Sequence, residues 1–255
     1  MFNVFVFCLI ILCTCVHFCV YGLCTSSCHC SGYTMLCKNG GIPTDIPSDV
    51  TELFIEQFDF DQLYRNKFKN VSNIQILDIQ ADHGKSIPSK SFDQFINLTY
   101  LGLHGKYIIT ISPDAFLGLN NCLTLNLSSN PRLHISEISS SINSENRGKH
   151  KKILPALLSL SVAKIQTSSS YPVDLNDYFF KSITFGRKLK YLDFSDLNIR
   201  MLDFNYYKTL CKSVEYVDLR KSVIGNIKQN YVEVEACESI RTFDLFEEMA
   251  DTEAE

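Results

Sequence analysis

Little in the 255-residue sequence points to chemistry. It contains no G-x-S-x-G, H-E-x-x-H, G-x-x-x-x-G-K-[ST] or G-x-G-x-x-G segment, and its six histidines are scattered, so no nucleophile elbow, zincin helix or phosphate cradle is encoded. That pattern predicts a protein that is not an enzyme and needs no cofactor or metal. Tryptophan is absent, which excludes nothing. The formal net charge is −4, which provides no overall basic field to attract nucleic acid. After the first 22 residues no apolar run is long enough to cross a bilayer.

Residues 1–22 stand apart. Val4 to Val20 is apolar and uncharged, short for a spanning helix, and Val20 and Gly22 suit the −3 and −1 positions of a cleavage site. A secretory signal peptide over 1–22 is the expectation, although the n-region lacks Lys and Arg and Cys8, Cys13, Cys15 and Cys19 are unusual there. The mature chain would then be secreted or extracellular, a compartment in which clustered cysteines form disulfides.

Leu98-x-x-Leu101-x-Leu103 followed by Ile108, Phe116 and Leu119 places apolar residues at relative positions 0, 3, 5, 10, 18 and 21. The 3-then-2 step fits neither a helix face nor an amphipathic strand. It fits a short strand that enters and leaves a turn. The pattern recurs from Val50, Ile74, Cys122, Leu157, Leu189, Val214 and Ile240, and the first four starts are each 24 residues apart. Such self-similarity signifies a solenoid of about eight repeats over residues 50–246. Phe68, Phe92, Phe116 and Tyr207 each fall eighteen residues after a start, predicting an aromatic spine behind the strands.

Alternation along the strands assigns an open, concave face. It carries Phe54 and Glu56, Ile76 and Asp78, Tyr100 and Gly102, Thr124 and Asn126, Ser159 and Ser161, Tyr191 and Asp193, Tyr216 and Asp218, and Thr242 and Asp244. Tyr191 beside Tyr216 would form an aromatic platform suited to a partner. Asp193, Asp218 and Asp244 would form a carboxylate column, read first as local backbone bonding. The candidate ligand surface is therefore Tyr100, Tyr191, Asp193, Tyr216, Asp218 and Arg220. Sequons at Asn70, Asn97 and Asn126 mark glycosylation sites, and a glycan on Asn126 would obstruct the middle of the concave face.

Residues 134–156 break the period with a Ser-rich run and the basic segment Arg147–Lys152, and read as an exposed inserted loop. Cys122 takes a core position as a buried free thiol. Cys211 and Cys237 each lie three residues before a repeat start. Equivalent positions in neighbouring repeats stack near 5 Å, so these two are expected to form a disulfide.

Cys24-x3-Cys28-x-Cys30-x6-Cys37, with Gly40-Gly-Ile-Pro43 through Leu53 behind it, resembles the N-terminal cap and first repeat of extracellular leucine-rich-repeat proteins, with 23–49 as the cap. The 24-residue, Phe-spined repeats are most similar to Toll-like receptor ectodomains. The resemblance implies Cys24–Cys30 and Cys28–Cys37 pairing. It also implies an α/β-type horseshoe with a parallel concave sheet, and recognition of a protein or microbial ligand on the concave or lateral face in innate immunity, with receptor dimerisation. A secreted matrix, adhesion or guidance protein, or a soluble decoy receptor, is the alternative. The sequence departs from the family at the eighth position after each start, usually Asn. Here stand Phe58, Asp82, Lys106, Asn130, Ile165, Leu197, Ser222 and Glu248. Irregular turns are expected. The series stops in the acidic tail 247–255, which predicts either the front of a longer receptor or a tail that serves as a cap.

Overall fold

A computed structural model describes residues 24, 27–38, 41–143, 153–167, 171–184, 187–203, 210, 213–228 and 242–244. The expected signal peptide, the segment Arg147–Lys152, Tyr207, Cys211, Cys237 and the acidic tail lie outside them.

Ten strands form one sheet: β1 (Cys28–Ser31), β2 (Thr34–Cys37), β3 (Glu52–Asp59), β4 (Ile76–His83), β5 (Tyr100–Gly105), β6 (Thr124–Asn126), β7 (Ser159–Ser161), β8 (Tyr191–Asp193), β9 (Tyr216–Asp218) and β10 (Thr242–Asp244). The first two make an antiparallel hairpin, and every later neighbour is parallel. Cys24 is bonded to Cys30 and Cys28 to Cys37, so the hairpin that covers the first repeat is cross-linked. Met35 lies level with Leu53 and closes the open end of the core with no exposure.

The register follows the apolar pattern. Leu53, Leu77, Leu101, Leu125, Leu160, Leu192, Val217 and Phe243 are mutual partners along the sheet. The first seven are fully buried. A one-residue slip would turn this whole column to solvent, which is why the alignment is strongly specified. Register also corrects one assignment: level with Ile76 and Asp78 stand Glu52 and Phe54, not Phe54 and Glu56.

Behind the sheet Phe68, Phe92 and Phe116 are buried. Phe92 stacks on Phe116 with ring centroids 6.3 Å apart, and Phe68 meets Phe95 edge-on at 5.1 Å. Farther along, Phe179, Phe180 and Phe194 form a second aromatic cluster.

The eighth position shapes the turn in some repeats, although β7 and β8 also end after three residues with Ile165 and Leu197 there. Where Asn130 occupies it, Nδ2 donates to the carbonyls of Leu103 (2.8 Å), Leu127 (2.7 Å) and Ser128 (3.2 Å), the chain turns, and β6 ends after three residues. Phe58 offers no such bond and is buried as core, and β3 runs on to eight residues through a register shift after Ile55. Ser222 restores the turn by another route: its Oγ donates to Phe194 O at 2.7 Å and accepts from the Leu197 N–H at 3.0 Å. A left-handed residue recurs two places after the last strand apolar in five repeats, at Gln57, Ser129, Lys164, Asp196 and Lys221. The N–H of Ser129, Lys164 and Asp196 each donates to the next repeat.

The described part of the period break is not an exposed loop. Residues Ile135–Ile142 form helix α1, with Ile135, Ile138 and Ile142 buried, and Ile153 and Leu154 buried beyond it. The 3- and 4-residue spacing of those isoleucines is a helix face. The serines that suggest a loop instead bond back along the helix: Ser139 Oγ to Ile135 O, Ser140 Oγ to Ser136 O and Ser141 Oγ to Ile138 O. A second helix, α2 (Asp177–Thr184), packs beside α1, and Asn143 Nδ2 reaches the Tyr178 hydroxyl at 3.2 Å. Arg187 ties both helices to the core. Its guanidinium donates to the carbonyls of Leu154 (3.1 Å), Ser182 (2.6 Å), Ile142 (2.5 Å) and Ile153 (2.6 Å), and burial pushes its pKa down to about 10.

Candidate ligand surface

The side chains between the buried strand residues face outward in columns, and two groups on that face differ in character. On the N-terminal side, Asp78, Tyr100, His104 and Asn126 form one hydrogen-bonded network. The Tyr100 hydroxyl donates to Asp78 Oδ2 at 3.2 Å and accepts from Asn126 Nδ2 at 3.3 Å. His104 Nε2 lies 3.5 Å from the same Asp78 oxygen, and its Nδ1–H donates to Ser128 O at 2.9 Å. Gly102 makes this convergence feasible, because a Cβ there would overlap Asp78 Oδ2 and sit 3.1 Å from His104 Nε2.

Burial alone would push the His104 pKa down. The hydrogen bonds to Asp78 and Ser128 and the attraction of the Asp78 carboxylate outweigh it, so the imidazole is held above its ordinary value. Tyr100 is raised too, first by burial, and further by Asp78 against the opposing Asn126 donor. A folded-state pKa above the unfolded one gives stability that is fully present below about pH 6.5 and lost as pH rises through the folded value. Thermal midpoints measured from pH 5.5 to 8.5 should therefore contain a falling component that His104→Gln removes. A profile unchanged by the substitution would show that the imidazole and Asp78 do not interact in solution.

On the C-terminal side the Tyr191 ring is half exposed and lies 6.4 Å from that of Tyr216, tilted by 46°. Lys190 and Glu215 pair at 2.9 Å just ahead of them. Asp193 accepts from the Ser195 N–H and hydroxyl through Oδ1 and from Ser161 Oγ through Oδ2. Asp218 accepts from the Arg220 N–H at 3.0 Å and from its guanidinium at 2.6 to 3.1 Å, and this partner holds the carboxyl below its ordinary pKa. Both aspartates thus build their own turns, while Arg220 keeps about half its side chain in solvent. Tyr191, Asp193, Tyr216, Asp218 and Arg220 are brought together; Tyr100 belongs to the other group, three strands from Tyr191 and four from Tyr216 in the sheet order.

Of the sequon residues, Asn70 is exposed with φ 55°, Asn97 is exposed, and Asn126 is half-buried beside Tyr100 with its Oδ1 accepting the Ser128 N–H. The structure also shows a ladder that pattern reading passed over. Asn73, Asn97 and Asn121, 24 residues apart, each donate Nδ2 to the preceding repeat, to Ser48 O, Ser72 O and Ile96 O. Their identical spacing was the available signal. Cys122 is buried and unpaired, and burial pushes its thiol up to about 12, so it is an inert core residue.

Two pockets lie on the flank where the chain leaves the strands: one of about 280 Å³ between the long repeats that begin at Cys122 and Leu157, and one of about 230 Å³ between the Leu157 repeat and those that begin at Leu189 and Val214. Gln166 lines both. Its Nε2 donates to Tyr171 O (3.2 Å) and Pro172 O (3.5 Å), it sits at φ 56°, and among the described residues its buried Oε1 has no partner. An unsatisfied buried acceptor costs about 1–3 kcal/mol, and a non-glycine residue in this backbone region roughly 1 kcal/mol more. No periodic spacing marks Gln166, so its role could not be read from the repeat. No group of three or more metal-ligating side chains is gathered among the described residues, and none of their helices is long and apolar enough to cross a membrane.

Residues 72–133 match the family model described as leucine rich repeat. Among solved structures, human 5T4 (Wnt-activated inhibitory factor 1, trophoblast glycoprotein) is similar, with a TM-score of 0.60 and 19% identity over 80% of this chain and 74% of that one. TLR13 in its complex with ssRNA13 is similar with a TM-score of 0.47 and 19% identity, over 70% of this chain and 23% of that one. No curated protein sequence matches. The register of the apolar columns, the family match and the likeness to 5T4 agree: the chain has the leucine-rich-repeat fold, a solenoid behind a long, mostly parallel sheet.

Proposed function

We propose that the chain is an extracellular recognition module, working in innate immunity as the Toll-like resemblance implies. In this reading the C-terminal part of the concave face, centred on Tyr191 and Tyr216, receives a protein or microbial ligand. The observation that carries it is the tyrosine pair, Tyr191 exposed and Tyr216 half-buried, with the exposed Arg220 two residues past the same strand; Tyr and Arg are enriched at interface hot spots. The N-terminal part suits the task less, because its polar groups are bonded to one another. A glycan on Asn126 would shield that part further, while those on Asn70 and Asn97 would stand in solvent from the loops ahead of the strands. The chain carries out no chemistry in this reading and is delivered through the secretory route by residues 1–22.

The test is binding of the purified full chain to immobilised microbial envelope fractions and to a panel of extracellular proteins, alongside Tyr191→Ala/Tyr216→Ala. The double variant should bind its ligand at least about 30-fold more weakly, the loss expected of roughly 2 kcal/mol at a hot spot. Tyr64→Ala, an exposed tyrosine elsewhere, should change nothing. Binding that survives the double substitution would remove the tyrosine pair from the interface. The fold likeness to 5T4 favours a second reading, a secreted or cell-surface leucine-rich-repeat protein of the matrix, adhesion or guidance type, or a soluble decoy. Retention by extracellular proteins alone, with no microbial fraction bound, would select it.

A further inference from the structure

The repeat that begins at Leu157 is a long one, its successor starting at Leu189, and the smaller pocket opens between its return segment and those of the repeats that begin at Leu189 and Val214. Its floor is apolar, with Val173 and Leu197 almost fully buried. The Tyr171 ring stands at its rim, 77% exposed. Neutral polar groups line the rest: the Gln166 amide, with its unpartnered carbonyl, and the Asn198 amide. The Asp196 carboxylate is paired with Lys164 at 3.5 Å. Lys221, also lining the pocket, has no ion-pair partner among the described residues.

Each element suits one part of a single ligand. An exposed tyrosine beside an apolar floor accepts the C–H face of a pyranose ring. Amide groups exchange hydrogen bonds with ring hydroxyls, and Gln166 Oε1 lacks only a donor. An ammonium at the edge with no ion-pair partner among the described residues selects a carboxylate. Gln166 also departs from local rules twice, in backbone conformation and in its orphaned acceptor, while its N–H bonds Asn130 O of the preceding repeat at 3.4 Å. Such departures concentrate at functional sites. We infer that this flank pocket, walled by Gln166, Val173, Leu197 and Asn198 and edged by Tyr171 and Lys221, binds one carboxylate-bearing saccharide unit of a glycan. The site is separate from the Tyr191–Tyr216 surface and does not depend on it.

Saturation-transfer NMR on the full chain, with methyl β-glucuronide and its uncharged counterpart methyl β-glucoside as probes, tests the assignment. The glucuronide should bind in the millimolar range expected of a single sugar unit. Tyr171→Ala should weaken it about tenfold, the effect of losing an aromatic anchor. Lys221→Asn, whose new side chain tolerates the left-handed backbone at φ 60°, should weaken it about threefold, the scale of one exposed ion pair. The glucoside should bind the native chain about as weakly as the glucuronide binds Lys221→Asn. Tyr191→Ala/Tyr216→Ala should leave all of this unchanged, so failure here and failure of the concave-face reading are distinguishable. Absence of saturation transfer from either sugar, indifference to both pocket substitutions, or equal binding of the two sugars would each overturn the proposal.

Discussion

Phe92→Ala should destabilise the solenoid by about 4 kcal/mol, the cost of emptying a fully buried aromatic site. Phe92 has no exposed surface, stacks on Phe116 at 6.3 Å and touches Phe95 at 6.3 Å. The ring therefore bridges two repeats rather than filling one. Neighbouring backbone cannot collapse into the void, because the parallel ladder holds strands β4 and β5 in register over six residue pairs. The loss should also be local. Hydrogen exchange should accelerate first in residues 76–105, since each repeat contacts only its neighbours. Guanidinium unfolding followed by circular dichroism, with exchange as the spatial readout, measures both. A loss below about 1 kcal/mol would mean that the spine is not packed as the ring geometry indicates.

The second large effect belongs to Arg187→Met, which keeps an unbranched apolar chain and deletes every donor. Four carbonyls, those of Ile142, Ile153, Leu154 and Ser182, receive the guanidinium. Hydrogen bonds involving a charged group contribute about 1.5–3 kcal/mol each and are not additive, and buried carbonyls left without a donor add their desolvation cost. A net loss of about 3 kcal/mol is expected, or a midpoint lower by about 10 °C for a chain of this size. Arg187→Lys should recover little, since a single ammonium cannot reproduce the planar fork that serves carbonyls on two helices and a loop. If the methionine variant melted within 2 °C of the native chain, the guanidinium would not be what secures α1 and α2.

Much of this fold was legible in the sequence because the repeat imposes one chemical demand many times. The Leu53 to Phe243 column could be read as a 3-then-2 spacing, and register then follows from burying that column. The spine was legible at Phe68, Phe92 and Phe116 for the same reason. Single-use solutions left no such trace. Helix α1 was hidden because serine reads as a loop former, whereas three of its serines bond back along the helix. Arg187 looked like any surface arginine; its burial depends on carbonyls from segments as far as 45 residues away. At the concave face, Tyr191 and Tyr216 were legible from alternation alone. The network around Asp78 was not, since it depends on His104, which the alternation reading did not single out, and on the missing side chain of Gly102. Gln166 carried no pattern to recognise.

The unequal strand lengths have a mechanical consequence. A solenoid is a row of coupled units, and the coupling between neighbours scales with the backbone they share. The long strands β3, β4 and β5 clasp one another along twice the length of β6 to β9. The row is therefore stiff at its stapled end and most compliant from β6 to β8, because the repeats that carry β8 and β9 are joined again by two short ladders, Asn198–Ile199 with Val223–Ile224 and Leu202–Asp203 with Ile227–Lys228. A load applied across the two ends would bend the protein between β6 and β8, so a partner gripping the tyrosine pair would hold one firm segment and swing it against the cap end about that hinge.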